Sequence, residues 1–279
     1  MPDPPGNNPA VARVALWRVN GSSSGASDDL LAVEEPLEIR IGFGPVDARA
    51  SHVLGLTMRT PGADAELALG YLHNEGIVSS AANVLSCAML PSGSSVRVEL
   101  APDVPFNTQR FERYSFVSSA CGVCGRRHIN RVERAPAGKS DRRVEASVLH
   151  ALPEALQASQ NAFRSTGGLH AAALCDYDGA ILFLREDIGR HNAVDKAVGA
   201  ALMGGVGLED KILLVSGRAG YELVQKAIAS SIPVLAAIGA PSSLAVELAD
   251  GFDLTLIGFL REDRFNVYTA GWRLKESDQ

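Results

Sequence analysis

Cysteine is scarce in this chain. Four residues in 279, Cys87, Cys121, Cys124 and Cys175, are too few for the disulfide framework of a small secreted domain. A reducing compartment would keep them as thiols, so a closely spaced pair becomes a candidate for chemistry rather than bracing. Long apolar runs are missing as well: nothing approaches the roughly 18 uninterrupted apolar residues of a membrane span. The opening MPDPPGNNPA shows neither the basic nor the apolar region of an export signal, so a soluble cytoplasmic protein is expected. An excess of positive charge is absent too. The chain has 26 Lys and Arg against 32 Asp and Glu, a formal charge of -6 at pH 7, and offers no global field to phosphate backbones or anionic lipids. Neither nucleic acid nor membrane is an expected partner. Aromatic residues make up only 6%, but 46% hydrophobic and 21% charged residues describe an ordinary globular composition with enough apolar material for a sizeable core.

The pattern along the chain divides into three. Residues 1–30 carry Pro2, Pro4, Pro5, Pro9 and the GSSSG stretch 21–25, which predicts a mobile tail with at most a short strand near Val14 to Trp17. Residues 31–145 read as a β-rich portion. Leu37, Ile39, Ile41 and Phe43 alternate with polar or small neighbours, and Leu54, Leu56 and Met58 repeat the period of a half-buried strand. Thr60-Pro61 looks like a helix cap followed by a first-turn proline, with the helix ending at Gly76. Val96 to Leu100 and Tyr114 to Val117 read as strands, and the CGVCG segment 121–125 falls on the loop that follows.

Residues 146–279 change character. A helix is predicted over 146–163. Strands at 169–174, 180–184, 212–215, 233–238 and 254–259 then alternate with helices at 192–203, 221–229 and 243–249. Strands apolar throughout and alternating with helices imply a sheet covered on both faces, a layered α/β domain. Ligands of such sheets bind beyond the carboxyl ends of the strands, here the loops 216–220, 239–243 and 259–264.

The CGVCG segment is the strongest chemical signal. Two thiols three residues apart in a glycine-flanked loop can bind a metal, cycle as a dithiol, relay sulfur as a persulfide, or be merely structural. A closed zinc site wants four ligands, and only His128 lies nearby, with no second CxxC. A thioredoxin-like dithiol would open a helix, whereas the flanking glycines suit a mobile carrier. Arg126, Arg127 and His128 directly downstream favour the thiolate that nucleophilic sulfur requires. Cys87 and Cys175 sit among apolar residues and read as buried and inert. Gly138-Lys139-Ser140 is not a phosphate loop, because Glu133 stands where that pattern needs glycine. No complete GxGxxG, GxSxG or HExxH pattern occurs.

Segment 186–192, EDIGRHN, has two readings. In one, Asp187 or Asn192 caps a helix beside solvated Asp195 and Lys196; in the other, the segment floors a polar pocket. Arg218, Arg261 and Arg264 could grip phosphates, with Ser216 and Ser242 adding amides and hydroxyls at helix starts.

Several segments together resemble one family: EEPLEIRI from 34, LGYLHNEGI from 69, CGVCG from 121, STGGLHAAAL from 165, EDIGRHNAVDK from 186, VSGRAGYELVQK from 215 and LIGFLREDRFNVYT from 256. They span 34–269 and are similar to the formate dehydrogenase accessory sulfurtransferases, the FdhD/NarQ family. The resemblance implies a cytoplasmic homodimer with a cytidine-deaminase-like C-terminal α/β domain behind a smaller, β-rich α+β portion. It implies sulfur taken from a cysteine desulfurase as a persulfide. That sulfur passes to the bis(molybdopterin guanine dinucleotide) molybdenum cofactor, which is delivered to formate dehydrogenase. Guanine nucleotide (GDP) would mimic one end of that guest. Carried over by position, Cys121 bears the persulfide and Cys124 is its loop partner. Phe259, Leu260, Arg261, Glu262, Asp263 and Arg264 form the cofactor-holding stretch. Gly167, Gly168, His170, Arg190, His191 and Arg218 are further pocket residues. The resemblance calls for no resident metal, and deamination is disfavoured because the H-x-E followed by P-C-x-x-C arrangement is missing. A cofactor or nucleotide chaperone whose cysteines only clamp or bind metal is the alternative.

Overall fold

The computed structural model describes residues 8–111 and 142–275. Three sheets are present among them. Strands β1 (Val11–Asn20) and β2 (Ser23–Ala32) pair antiparallel in unbroken register from Val11 opposite Ala32 to Asn20 opposite Ser23. The expected tail is therefore corrected over most of its length. Its signal was the Gly21-Ser22 dipeptide, whose glycine takes φ 60° at the first position of the two-residue turn between Asn20 and Ser23, masked by the surrounding serines and prolines.

Strands β3 (Glu35–Phe43) and β4 (Ala50–Arg59) fall where alternation predicted. With β5 (Val84–Met89) and β6 (Ser95–Leu100) they form a sheet in the order β4-β3-β6-β5. Helix α1 (Asp64–Asn74) lays Leu67, Ala68 and Leu72 onto Leu37, Ile39, Ile41, Leu54, Val96 and Val98. It starts later than expected and Thr60 is not its cap: Ala63 holds that place at φ 57° with no side-chain acceptor. Thr60 faces the C-terminal layer instead. Its amide donates to Asp187 Oδ2 at 3.1 Å, and its hydroxyl accepts from the Ile188 amide at 3.1 Å.

The predicted helix over 146–163 is two helices, α2 (Ala146–Ser159) and α3 (Asn161–Thr166), broken at Gln160. The break lets the Glu186 carboxylate accept from the amides of Ala162 and Phe163 at 2.9 and 2.7 Å. From there strands and helices follow the expected alternation. The elements are β7 (His170–Cys175), β8 (Ile181–Asp187), α4 (Arg190–Met203), β9 (Ile212–Val215), α5 (Tyr221–Ala229), β10 (Val234–Ala237), α6 (Ser243–Gly251), β11 (Thr255–Gly258) and β12 (Asn266–Thr269). The sheet order is β12-β11-β10-β9-β7-β8. Strands β9, β10 and β11 are parallel, while β7 and β12 run antiparallel to their neighbours.

Both faces of this sheet are buried, and side chains sort between them with period two. Leu213, Val215, Leu235, Ala237 and Leu256 pack under α4, α5 and α6. Ile212, Leu214, Val234, Ala236 and Ile257 pack with Leu149, Leu152 and Leu156 of α2. This is the expected layered α/β class, with the smaller β-rich portion leaning on it.

The two portions meet where α1 crosses α4. A Cβ on Gly70 would lie 1.8 Å from the Asp195 carbonyl oxygen, and one on Gly199 would lie 1.9 Å from that of Glu66, so the backbones touch. Beside this crossing Asp195 and Lys196 are buried, not solvated as the capping reading supposed. Asp195 accepts from Asn74 Nδ2 at 2.6 Å and from Lys226 Nζ at 2.7 Å. Lys196 Nζ sits 2.7 Å from the fully buried Asp187.

Candidate functional site

The parallel strands β9, β10 and β11 end at one rim of the sheet. Because β7 runs the other way, it begins there, and β8 ends there: His170 pairs with Asp187, and Ala172 pairs with Val215. Topology thus brings four sequence-distant segments to one edge: 168–170, 186–191, 216–220 and 259–264.

Backbone hydrogen bonds stitch the rim loops side by side. The Gly239 amide donates to the Gly217 carbonyl at 3.0 Å, Phe259 N to Gly239 O at 3.0 Å, and Ala219 N to Ala240 O at 3.1 Å. Glycine is required at 239, since a Cβ there would come within 2.9 Å of the Gly217 oxygen. Ser216, expected to offer a hydroxyl to a phosphate, accepts from the Ala171 amide at 2.9 Å and fastens β7 to the loop.

Phe259 is exposed and takes φ 53°. A bulky residue in the left-handed region costs of order 1–3 kcal/mol and persists only where the surroundings enforce it, a pattern that clusters at ligand sites. Arg261 turns its guanidinium back onto the carbonyls of Ile238 and Leu260, both at 2.7 Å, so much of its donor capacity goes to loop structure. Its own carbonyl lies 3.2 Å from His150 Nδ1 of α2. Leu260 is corrected as a side-chain ligand: it is fully buried in the α2 side of the core, where it anchors the loop. Glu262 and Asp263 are exposed. Arg264 shares with Phe259, Arg261 and Asn266 an open cavity of about 280 Å³, room for one end of a larger guest. Gly167 closes α3 at φ 66° and Gly168 is exposed beside it.

Farther along the rim, Arg218 is exposed and Arg190 half-buried. Among the described residues neither they nor Arg264 has an ion pair. His191 is buried, its Nε2 2.6 Å from Glu222 Oε2 on the first turn of α5. Glu222 is a site residue that motif reading missed, though its place at a helix start just beyond the 216–220 loop was a usable signal. His170 is half-buried. Burial, then the charges of Arg190 and His191, hold its imidazole below the ordinary histidine range, and Asp187 opposes them. Asp187 itself holds the segment in shape, accepting from Gly189 N at 2.8 Å and Asn192 Nδ2 at 3.0 Å. Asn192 reaches on to the Met58 carbonyl at 2.7 Å.

Cys121 and Cys124 lie outside the described residues, as does the expected strand at 114–117. The other two thiols are placed. Cys175 is fully buried, as expected, but Cys87 is only partly covered, its Sγ 3.5 Å from the Ala65 carbonyl. Burial pushes Cys87 up to about 11 and, with Asp176 adding to it, Cys175 up to about 12. A raised thiol pKa leaves almost no thiolate at neutral pH. Maleimide at pH about 7, followed by peptide mass mapping, should therefore leave both unlabelled in the folded protein and label them after denaturation. Rapid native labelling of Cys175 would contradict this placement. Among the described residues no three His, Cys, Asp or Glu side chains converge as metal ligands, and no helix is long and apolar enough to cross a membrane.

The fold and rim define a class: a layered α/β protein whose strand ends collect arginine, histidine and an exposed aromatic at one edge of the sheet. Within that class the FdhD/NarQ family model matches residues 32–275, and the chain belongs to this family. It is 46% identical over 261 residues to the sulfur carrier protein FdhD of Mycobacterium tuberculosis, covering 88% of this chain and 92% of that one. The protein of the same name from Nocardia farcinica is 44% identical over 278 residues, 95% of each chain. A crystal structure from Desulfotalea psychrophila, assigned as a formate dehydrogenase accessory protein, superposes with a TM-score of 0.76 at 23% identity, covering 96% of this chain and all of that one. That likeness concerns the fold.

Proposed function

We propose that this protein is a cytoplasmic sulfur carrier for formate dehydrogenase maturation. Cys121 accepts sulfur from a cysteine desulfurase as a persulfide, with Cys124 as its loop partner. The sulfur passes to a bis(molybdopterin guanine dinucleotide) cofactor held at the rim, which then reaches formate dehydrogenase. The cofactor is cargo here, and holding it makes the protein a chaperone as well as a sulfurtransferase, working as a homodimer. The naming of the relatives as sulfur carriers supports the reading.

One observation carries it: segments scattered over nearly a hundred residues of sequence converge on one rim and supply Arg190, Arg218 and Arg264, which have no ion pair among the described residues. Unpaired guanidiniums at strand ends are the natural grip for phosphate groups. A guest carrying guanine nucleotide ends has several. Phe259, held exposed despite its backbone strain, offers a face to a ring system.

The test is mass spectrometry of the full chain after incubation with a cysteine desulfurase and L-cysteine. An adduct of one sulfur atom, mapped to Cys121 and lost in Cys121→Ser, is expected, and formate dehydrogenase maturation should fail in the same variant. Normal maturation by Cys121→Ser, or bound zinc with no sulfur adduct, would overturn the reading in favour of a clamp.

A further inference from the structure

We propose that the open N-terminus of α4, with Arg190, His191 and His170, forms an anion subsite that takes the diphosphate of a nucleotide-bearing guest. The proposal rests on the rim being the guest's site, and it assigns that group to α4 rather than to the 259–264 loop.

Helix α4 runs 14 residues from Arg190. Its cap, Gly189, has no side-chain oxygen, and no acidic residue stands in its first turn. The leading amides of a helix lack internal acceptors, and its dipole places positive charge there. Two other helices of this layer are closed by side chains: Ser242 accepts from the Ala245 amide of α6, and Glu186 caps α3; α5, like α4, starts from a glycine without a side-chain acceptor but carries the acidic Glu222 in its first turn. Asp187 is close by, but its oxygens serve Gly189 N, Thr60 N, Asn192 Nδ2 and Lys196. It does not cover the amides of residues 190–192.

An independent observation comes from His191. The ring is only 8% exposed, its Nε2 is held by Glu222, and its Nδ1 is buried without a hydrogen-bond partner. The two imidazole nitrogens diverge. His191 is itself the second residue of α4, so the unpaired Nδ1 belongs to a side chain of the helix's first turn. A buried polar atom left unpaired calls for an explanation, and a bound oxyanion supplies one. Arg190 adds a half-buried guanidinium with no ion pair. His170 completes the set from β7, with Gly217 packed so closely that a Cβ there would lie 3.3 Å from His170 Nδ1. Helix amides, a guanidinium fork and imidazole donors together suit tetrahedral oxyanions.

The charged and titratable groups around His170 are Asp187 from β8, Arg190 and His191 from α4, and Glu222 from α5 beyond His191. The cations now disfavour its protonation. A bound diphosphate would reverse the sign of that local field, so filling the subsite should draw a proton onto His170.

Calorimetric titration of the full chain with inorganic pyrophosphate tests this, run near the ordinary histidine pKa of about 6.5 in two buffers of different ionisation enthalpy. Binding with net proton uptake is expected, and the His170 ring resonances should titrate at higher pH when pyrophosphate is present. That measurement needs no variant. Arg190→Ala should weaken binding about tenfold, the loss of one charge-assisted contact, while Arg13→Ala, on the exposed hairpin of β1 and β2, should not. No binding, binding without proton uptake, or a loss confined to Arg264→Ala would overturn the subsite. The sulfur adduct on Cys121 is read separately. Its absence with an intact pyrophosphate response would sink the carrier reading alone, and the converse would sink only the subsite.

Discussion

Gly70→Ala is expected to lower the unfolding free energy by about 3 kcal/mol or more, among the largest effects of any single methyl group in this protein. Two opposed terms decide the sign. Alanine is the better helix former by about 1 kcal/mol, so at an open helical position the change would stabilise. At Gly70, however, the added Cβ would fall 1.8 Å from the Asp195 oxygen and 2.7 Å from its carbonyl carbon, and 2.9 Å from the Gly199 amide nitrogen. All three are backbone atoms of α4 and cannot swing aside. The helices must part, and parting them withdraws Leu67 and Leu72 from the N-terminal core and disturbs Leu202, which packs against both that core and the C-terminal one. Gly199→Ala meets the reverse obstacle at the Glu66 carbonyl and should cost as much. Gly251→Ala, with nothing within 4 Å of its Cβ position, is the matched control and should be neutral or better. Urea unfolding midpoints of the three variants settle the matter, and stabilisation by Gly70→Ala would mean that the helices do not approach as described.

That crossing also shows what a single sequence can and cannot disclose. The C-terminal layer was legible because buried strands such as Ile212–Val215 are apolar throughout and are punctuated by amphipathic helices, two signals that agree. The rim followed from topology, since parallel strands end together. Pairing was not legible. β12, with exposed Asn266, Val267 and Tyr268, has no buried-strand signature and exists because β11 offers an open edge. β5 alternates too weakly for the same reason. In the site, Arg190, His191 and Arg218 were recognisable as polar residues at strand-to-helix junctions. The burial of Asp195 and Lys196 was not, because charged residues within a helix read as solvent-facing until their partners are known. Lys196 answers to Asp187 on β8, and Asp195 to Asn74 and Lys226 from two other helices. Likewise Leu260 sits inside a motif of polar and exposed residues, and only its burial separates the loop's anchor from the side chains it presents. The motifs at 69 and 186 therefore hold two portions together as much as they shape a site.

Lys196→Met is the second large effect, with an expected loss of about 3–5 kcal/mol, as befits a buried ion pair stripped of one partner. Asp187 is fully buried, and without the ammonium 2.7 Å away its charge has no counterion. The pair is also a joint. Lys196 Nζ donates to the Thr60 carbonyl at 2.8 Å while the Thr60 amide donates to Asp187, so the residue after β4 is held from both sides by one pair. For some buried pairs, replacement of both partners by apolar residues restores stability. Here the double variant Asp187→Leu with Lys196→Met should recover only part of it, because the amides of Thr60 and Gly189 and the Asn192 side chain would lose their acceptor at about 1–3 kcal/mol for each group left unsatisfied. A double-mutant cycle in urea should therefore show favourable coupling between the two residues together with a residual deficit in the double variant. Full recovery would reduce the pair to a simple charge balance. A persistent deficit would identify Asp187 as the acceptor that fixes the turn into α4, and with it the placing of Arg190 and His191 at the rim.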